Sequence, residues 1–127
     1  MRIVHLAIGA ALIATAGAAS AQDVPVLRKG TPYAAARGLL LEKGFRPVAS
    51  AEQDEGRCSA GRQDVCAAYP ETISCSGTGA GACHFIFSSP SGGAVTVIAE
   101  GRDAGRLKIT DTRRSSREDV EWQRKGR

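Results

Sequence analysis

The stretch Cys83-His84-Phe85-Ile86-Phe87-Ser88-Ser89-Pro90-Ser91-Gly92-Gly93-Ala94-Val95-Thr96-Val97-Ile98-Ala99-Glu100 decides the fold class. Cys83, Phe85 and Phe87 recur at every second position, and so do Val95, Val97 and Ala99. A period of two places each set on one face of a strand. Between the two runs, Pro90-Ser91-Gly92-Gly93 has the composition of a tight turn. The reading is a β-hairpin with one strongly apolar face.

Working outward, the same period extends to both sides. Residues 72–76 read as a preceding strand, and residues 107–112 as a following one with Leu107 and Ile109 on its apolar face. Arg102-Asp103-Ala104-Gly105 supplies the second turn. Upstream lies a helical pattern instead. Thr31 suits an N-cap, and Pro32 suits the first helical position, where its missing amide costs nothing. Tyr33, Ala36, Leu39 and Leu40 then fall on one helical face, with Arg37 and Glu42 outward. Gly44 supplies a left-handed stop, and Phe45 beyond it is placed to fold back onto Leu40. Residues 45–50 are extended, and Pro47 makes them a poor interior strand. The predicted fold is α+β: one main helix packed on an antiparallel sheet of three or four strands, stabilised by disulfides.

Residues 51–69 are polar and irregular, with a helical turn expected near residues 64–68. A loop of that length in a small domain needs pinning. Cys58 and Cys66 lie inside it, and Cys75 and Cys83 flank a glycine-rich segment centred on Gly79. Strands pairing symmetrically about Gly79 would bring Cys75 opposite Cys83. Local pairing, 58–66 with 75–83, is therefore the first choice among three connectivities; the two crossed alternatives would tie the loop to the sheet. Each local bridge closes a small ring, worth ~2–3 kcal/mol on the loop-entropy model. A four-cysteine zinc site would need cysteines two to four residues apart, and a thioredoxin-like pair would need Cys-x-x-Cys; neither spacing occurs.

The start of the chain has its own physics. One charge at Arg2 precedes an apolar run to about Ala16, and small residues at 18–21 precede Gln22-Asp23. That is the recipe of a cleavable secretory signal over residues 1–21, cut near Ala21. The run is too short for a membrane span, which takes ~20 apolar residues. Export places the four cysteines in an oxidising compartment, periplasmic or extracellular. Residues 22–112 are expected to form a single α+β domain and residues 113–127 a charged C-terminal tail. In that tail Ser115 with Glu118, or Ser116 with Asp119, can cap a short helix, and the helix is expected either to dock or to fray.

Charge and composition narrow the function. With 17 basic and 13 acidic residues the chain carries +4, and loss of Arg2 with the leader leaves +3. That mild excess favours an anionic cell-envelope polymer or an envelope protein as partner. It lacks the clustered stripe of a nucleic-acid binder. Arg37, Arg102, Arg106 and Trp122 are the candidates for a binding surface. The segment 77–81 is glycine-rich, but a strand follows it, whereas a phosphate loop requires a helix amino terminus there. His84 is the one histidine left after cleavage, sits mid-strand opposite Phe85, and has no serine motif to serve. Glu52, Asp54 and Glu55 read as a solvated acidic loop, and Glu71 as an ion-pair partner for Arg57 or Arg62. No catalytic residue, metal site or cofactor is expected, and the chain is not expected to be an enzyme.

The segment Gly30-Thr31-Pro32-Tyr33-Ala34-Ala35-Ala36-Arg37, continuing through Leu40, Gly44, Phe45 and Val48, resembles the opening of PASTA domains, where a helix leads through a glycine and an aromatic residue into a strand. Tyr69-Pro70-Glu71, Cys75-Ser76-Gly77-Thr78-Gly79 and Cys83-His84-Phe85 resemble small cysteine-containing exported proteobacterial proteins, a resemblance that implies fold and compartment and no activity. The expected function is an exported, non-catalytic envelope or protein-binding module. The alternative is a secreted inhibitor of a hydrolase, acting through a rigid hairpin tip near Thr78 or Ser91.

Overall fold

In a computed structural model, which describes residues 11–13, 24–52, 54–77 and 81–126, the Cys83 strand is the hub of the sheet. The leader read over residues 1–21 falls almost wholly outside the described residues, and so does the hairpin tip at Thr78. In chain order the elements are α1 (Tyr33–Glu42), β1 (Arg46–Pro47), α2 (Asp54–Arg57), α3 (Gln63–Ala68), β2 (Thr72–Cys75), β3 (Ala82–Ser88), β4 (Ala94–Glu100), a 3-10 turn (Ala104–Arg106), β5 (Lys108–Ser115) and α4 (Arg117–Lys125).

The sheet is antiparallel and has five strands. β3 pairs with β4 from Ala82↔Glu100 to Ser88↔Ala94, and β4 pairs with β5. The other edge of β3 is shared end to end. β2 takes the half near Cys83, and the two-residue β1 takes the half near Ser88. β1 is the strand beyond the expected four: Pro47 is tolerated because it lies at the margin of the sheet.

The alternation sorts the side chains as expected. Cys83, Phe85, Phe87, Val95, Val97, Ala99, Leu107 and Ile109 form one buried cluster with Tyr33, Ala36, Leu40 and Phe45 of the α1 region. Burial of these side chains is the main driving force, at ~1.5–3 kcal/mol for each large one. Tyr33 stacks on Phe85 at 4.0 Å between centroids and meets Tyr69 edge-on at 4.8 Å. Leu39, expected on the buried face, is 43% exposed, because the contact stripe of this ten-residue helix runs through Tyr33, Ala36 and Leu40.

Both ends of α1 are informative. Gly44 is left-handed at φ +85°, its amide bonds to Leu41 O at 3.0 Å, and the Phe45 amide bonds to Leu40 O at 3.0 Å. This is the double-bonded Schellman close expected from the sequence. The start differs. Pro32 occupies the N-cap with no side-chain cap, since the segment before it pairs with β5: Ile109 N donates to Thr31 O, and Gly30 N to Ile109 O, both at 2.8 Å. Thr31 thus serves as an edge partner of β5 through its backbone.

Both disulfides are local. Cys58–Cys66 staples the loop that holds α2 and α3, with Cα atoms 6.1 Å apart. Cys75–Cys83 joins directly opposite residues of β2 and β3, 4.1 Å apart. Arg62, only 1% exposed, fixes the stapled loop to the sheet. Its Nη1 donates to Gly101 O at 2.6 Å, and its Nη2 donates to Gly81 O at 3.3 Å and lies 2.9 Å from Cys83 Sγ. Ala104 N donates to Asp64 Oδ2 at 2.7 Å from the neighbouring turn. A small core is thereby completed with polar pegs and covalent staples, as a domain of this size needs.

Glu71 pairs differently from the expectation. Its fully buried carboxylate accepts Tyr33 OH at 2.8 Å and Arg37 Nε at 2.6 Å, both from α1. Arg57 instead donates to the backbone, to Thr72 O at 2.6 Å. Sequence proximity favoured Arg57 and Arg62; the tertiary packing of α1 over β2 decides otherwise.

Residues beyond 112 continue the fold. β5 runs to Ser115, and α4 follows behind a capping box. In that box Ser116 Oγ accepts Asp119 N at 3.1 Å and Asp119 Oδ2 accepts Ser116 N at 2.7 Å. Of the two outcomes foreseen for this helix, docking is the one adopted. Val120 packs on Val48, Ile86 and Ala94, on the sheet face opposite α1. Buried Gln123 donates through Nε2 to Val48 O and Thr72 O, both at 3.2 Å. Among the described residues no helix is long and apolar enough to cross a membrane.

Candidate functional site

The two sheet faces are unequally covered. The first is closed by α1 and the stapled loop. Among the described residues the second is covered by α4, a nine-residue helix that packs on Ile86 and Ala94 at one end of the strands. The rest of that face forms the floor of an open groove of about 570 Å³. Clefts of this size suit small-molecule or oligomer segments.

Each wall has a traceable origin. The floor is β3 and β4: His84, Ile86, Thr96 and Ile98 point to this side because Phe85 and Val97 point to the other. A register shift between Ile98 and Ala99, opposite the step from Ile109 to Asp111, re-phases β5. Thr96 is thereby brought opposite Arg113, and Arg113 and Ser115 join the groove lining. The far wall is Trp122 of α4, 57% exposed although it lines the groove. Ser50 and Glu52, in the segment that follows β1, close one end.

The electrostatics are mixed. Arg113 Nε donates to Asp111 Oδ2 at 3.0 Å, which leaves the two terminal nitrogens of its exposed guanidinium facing solvent. Asp119 also lines the groove, but its Oδ2 is engaged by the Ser116 cap. The His84 ring makes no hydrogen bond to another described residue. Its pKa lies below the ordinary histidine value, first because burial disfavours the charged ring and second because of the Arg113 charge. At neutral pH it is therefore an uncharged imidazole with one donor and one acceptor nitrogen. Thr96 Oγ1 and Ser115 Oγ lie 2.6 Å apart beside it.

The four residues read from the sequence as a binding surface do not come together. Trp122 is in the groove. Arg37 is on the opposite layer, half-buried, where it neutralises Glu71 and lies 5.6 Å from the Tyr69 ring centroid. Arg102 and Arg106 are exposed in the β4–β5 connection, and Arg106 faces Asp103 at 3.5 Å. His84, Arg113 and Arg114, which line the groove, were not among those four. The alternation about Phe85 already put His84 on the second face. What was missing was the knowledge that α4 would leave that part of the face open.

Among the described residues no three His, Cys, Asp or Glu side chains gather as a metal ligand set. All four cysteines are in disulfides. The Tyr33 phenol, pushed far up by burial first and by the Glu71 charge second, stays protonated and acts as a fixed donor to that carboxylate. No family model, curated protein or solved structure matches the chain.

Proposed function

We propose that the chain is an exported, non-catalytic binding module that takes an anionic cell-envelope polymer in the groove between α4 and the sheet. The observation that carries this reading is the part-covered second face, with Arg113 on one wall and an exposed tryptophan on the other. The leader-like residues 1–21, the two disulfides and the net positive charge support the same compartment and partner charge. Disulfides persist where the surroundings are oxidising. A basic groove wall raises the local concentration of polyanions and makes binding weaken with salt. Cosedimentation of the secreted protein with purified sacculi at low and high salt tests the reading. Salt-sensitive binding that Arg113→Gln weakens supports it, and protein that stays in the supernatant at low salt excludes it.

A second reading, a secreted hydrolase inhibitor, is favoured by the β3–β4 turn. Ser89 N donates to Gly93 O at 2.8 Å, Gly92 N to Ser89 O at 3.1 Å, and Ser89 and Ser91 hydroxyls meet at 2.8 Å. This leaves Pro90 and Ser91 exposed on a hydrogen-bonded tip. Inhibition of a protease or lysozyme panel at micromolar protein, lost on Ser91→Arg, would favour it over the groove.

A further inference from the structure

The groove lining is chemically more particular than a basic patch, and we infer that its ligand is an acidic oligosaccharide: sugar rings bearing carboxylates, bound with one ring against Trp122 and a carboxylate at Arg113. The inference rests on the groove reading above and specifies its ligand.

Three features select this class. The first is the pairing of an apolar floor with an aromatic wall. Ile73, half-buried, lines the groove with the nearly fully buried Ile86 and Ile98, and Trp122 is 57% exposed. Sugar rings present C–H faces that pack on such surfaces, while a bare polyanion such as polyphosphate gains nothing from them. The second feature is the set of short hydrogen-bonding groups between floor and rim. Ser50, the Thr96–Ser115 hydroxyl pair and the neutral His84 ring offer donors and acceptors side by side. A hydroxyl both donates and accepts, so a polyhydroxylated ligand can satisfy this lining where a purely accepting anion cannot. The third is charge. Asp111 takes one edge of Arg113 and leaves the terminal guanidinium nitrogens, a fork that matches a carboxylate in two parallel bonds. Of the two carboxylates in the lining, Asp119 is engaged at the Ser116 cap. Glu52 is left at the end of the groove as an acceptor for a sugar hydroxyl.

An acidic peptide shares the charge and lacks the rings. A neutral glycan shares the rings and lacks the charge. The two contrasts can be separated with the protein's own reporter, since Trp122 is the single tryptophan of the chain. Its emission is followed during titration of the secreted protein with tetragalacturonate, with maltotetraose and with tetraglutamate. The expected result is a saturable spectral change with tetragalacturonate, at least about tenfold weaker with either of the others. Arg113→Gln, at an exposed position, is expected to weaken tetragalacturonate about tenfold by removing the paired bonds. Arg102→Gln, exposed and outside the groove, is expected to leave the titration unchanged. Equal responses to tetraglutamate or maltotetraose, or a response indifferent to Arg113→Gln, would overturn the assignment. No response to tetragalacturonate while the protein still cosediments with sacculi would remove the ligand class and leave the groove reading standing; absence of both would remove both.

Discussion

Replacing Arg37 by alanine tests the most consequential polar contact in the fold. The Glu71 carboxylate has no exposed side-chain surface, and its partners are Tyr33 OH at 2.8 Å and Arg37 at 2.6 Å and 3.4 Å. Removing one member of a buried ion pair costs about 3–5 kcal/mol, because the survivor is left charged and desolvated. The Arg37 side chain is 27% exposed, so water can enter the space it vacates, and solvent already screens part of the pair. The expected loss is therefore lower, about 2–3 kcal/mol. Glu71→Gln keeps an acceptor for Tyr33 and leaves Arg37 beside solvent, and should cost only about 1 kcal/mol. The double variant should cost less than the sum of the two singles, as groups in direct contact do. Urea unfolding followed by far-UV circular dichroism measures all three. A domain of this size shifts in Tm by roughly 4–8 °C per kcal/mol, so Arg37→Ala should melt at least about 8 °C lower. A loss below about 0.5 kcal/mol for Arg37→Ala, or a larger loss for Glu71→Gln than for Arg37→Ala, would refute the claim that this pair clamps α1 to β2.

Four further outcomes are expected. Replacing Cys58 and Cys66 together by serine opens a ring with sequence separation 8 and should cost about 2.5 kcal/mol on the loop-entropy model, read as a lower urea midpoint. Gly101→Ala would set a Cβ 2.4 Å from Arg106 O and 2.8 Å from Leu107 N, both backbone atoms; a loss above about 2 kcal/mol is expected, and a wild-type midpoint would show the turn to be looser than described. Ser116→Ala removes the α4 cap and should cost about 1 kcal/mol, with faster amide exchange confined to the first turn of that helix. His84 is lowered by burial and by Arg113, so unfolding takes up a proton below the unfolded value near 6.5; stability is full above that pH and falls as the pH drops toward the folded value. His84→Gln should flatten that part of the pH–stability curve, and an unchanged slope would count against a desolvated ring.

Much of the fold was legible because its signals are local. Alternation through Phe85–Phe87 and Val95–Ala99 fixes two strands and their inward face. Gly44 and Phe45 announce the end of α1, and the symmetric spacing about Gly79 places Cys75 opposite Cys83. What was hidden depends on distant partners. Thr31 reads as a cap until β5 claims its carbonyl, and Glu71 reads as a partner of nearby arginines until α1 lies over β2. The groove belongs to this second kind. It needs His84 from β3, Arg113 from the re-phased β5 and Trp122 from a helix whose docking depends on Gln123 reaching Val48 O and Thr72 O. Trp122 was recognisable as a surface aromatic, but its neighbours were not, since neither composition nor period states how much of a sheet face a terminal helix will cover.

Chemical-shift mapping on isotope-labelled protein addresses the groove most directly. On addition of soluble glycan fragments from sacculi, the largest shifts should fall on the Trp122 indole, His84, Thr96 and Arg113, with Arg37 and the α1 layer still. Shifts centred on α1, on the Arg102–Arg106 turn or on the Ser91 tip, with the groove unmoved, would contradict it.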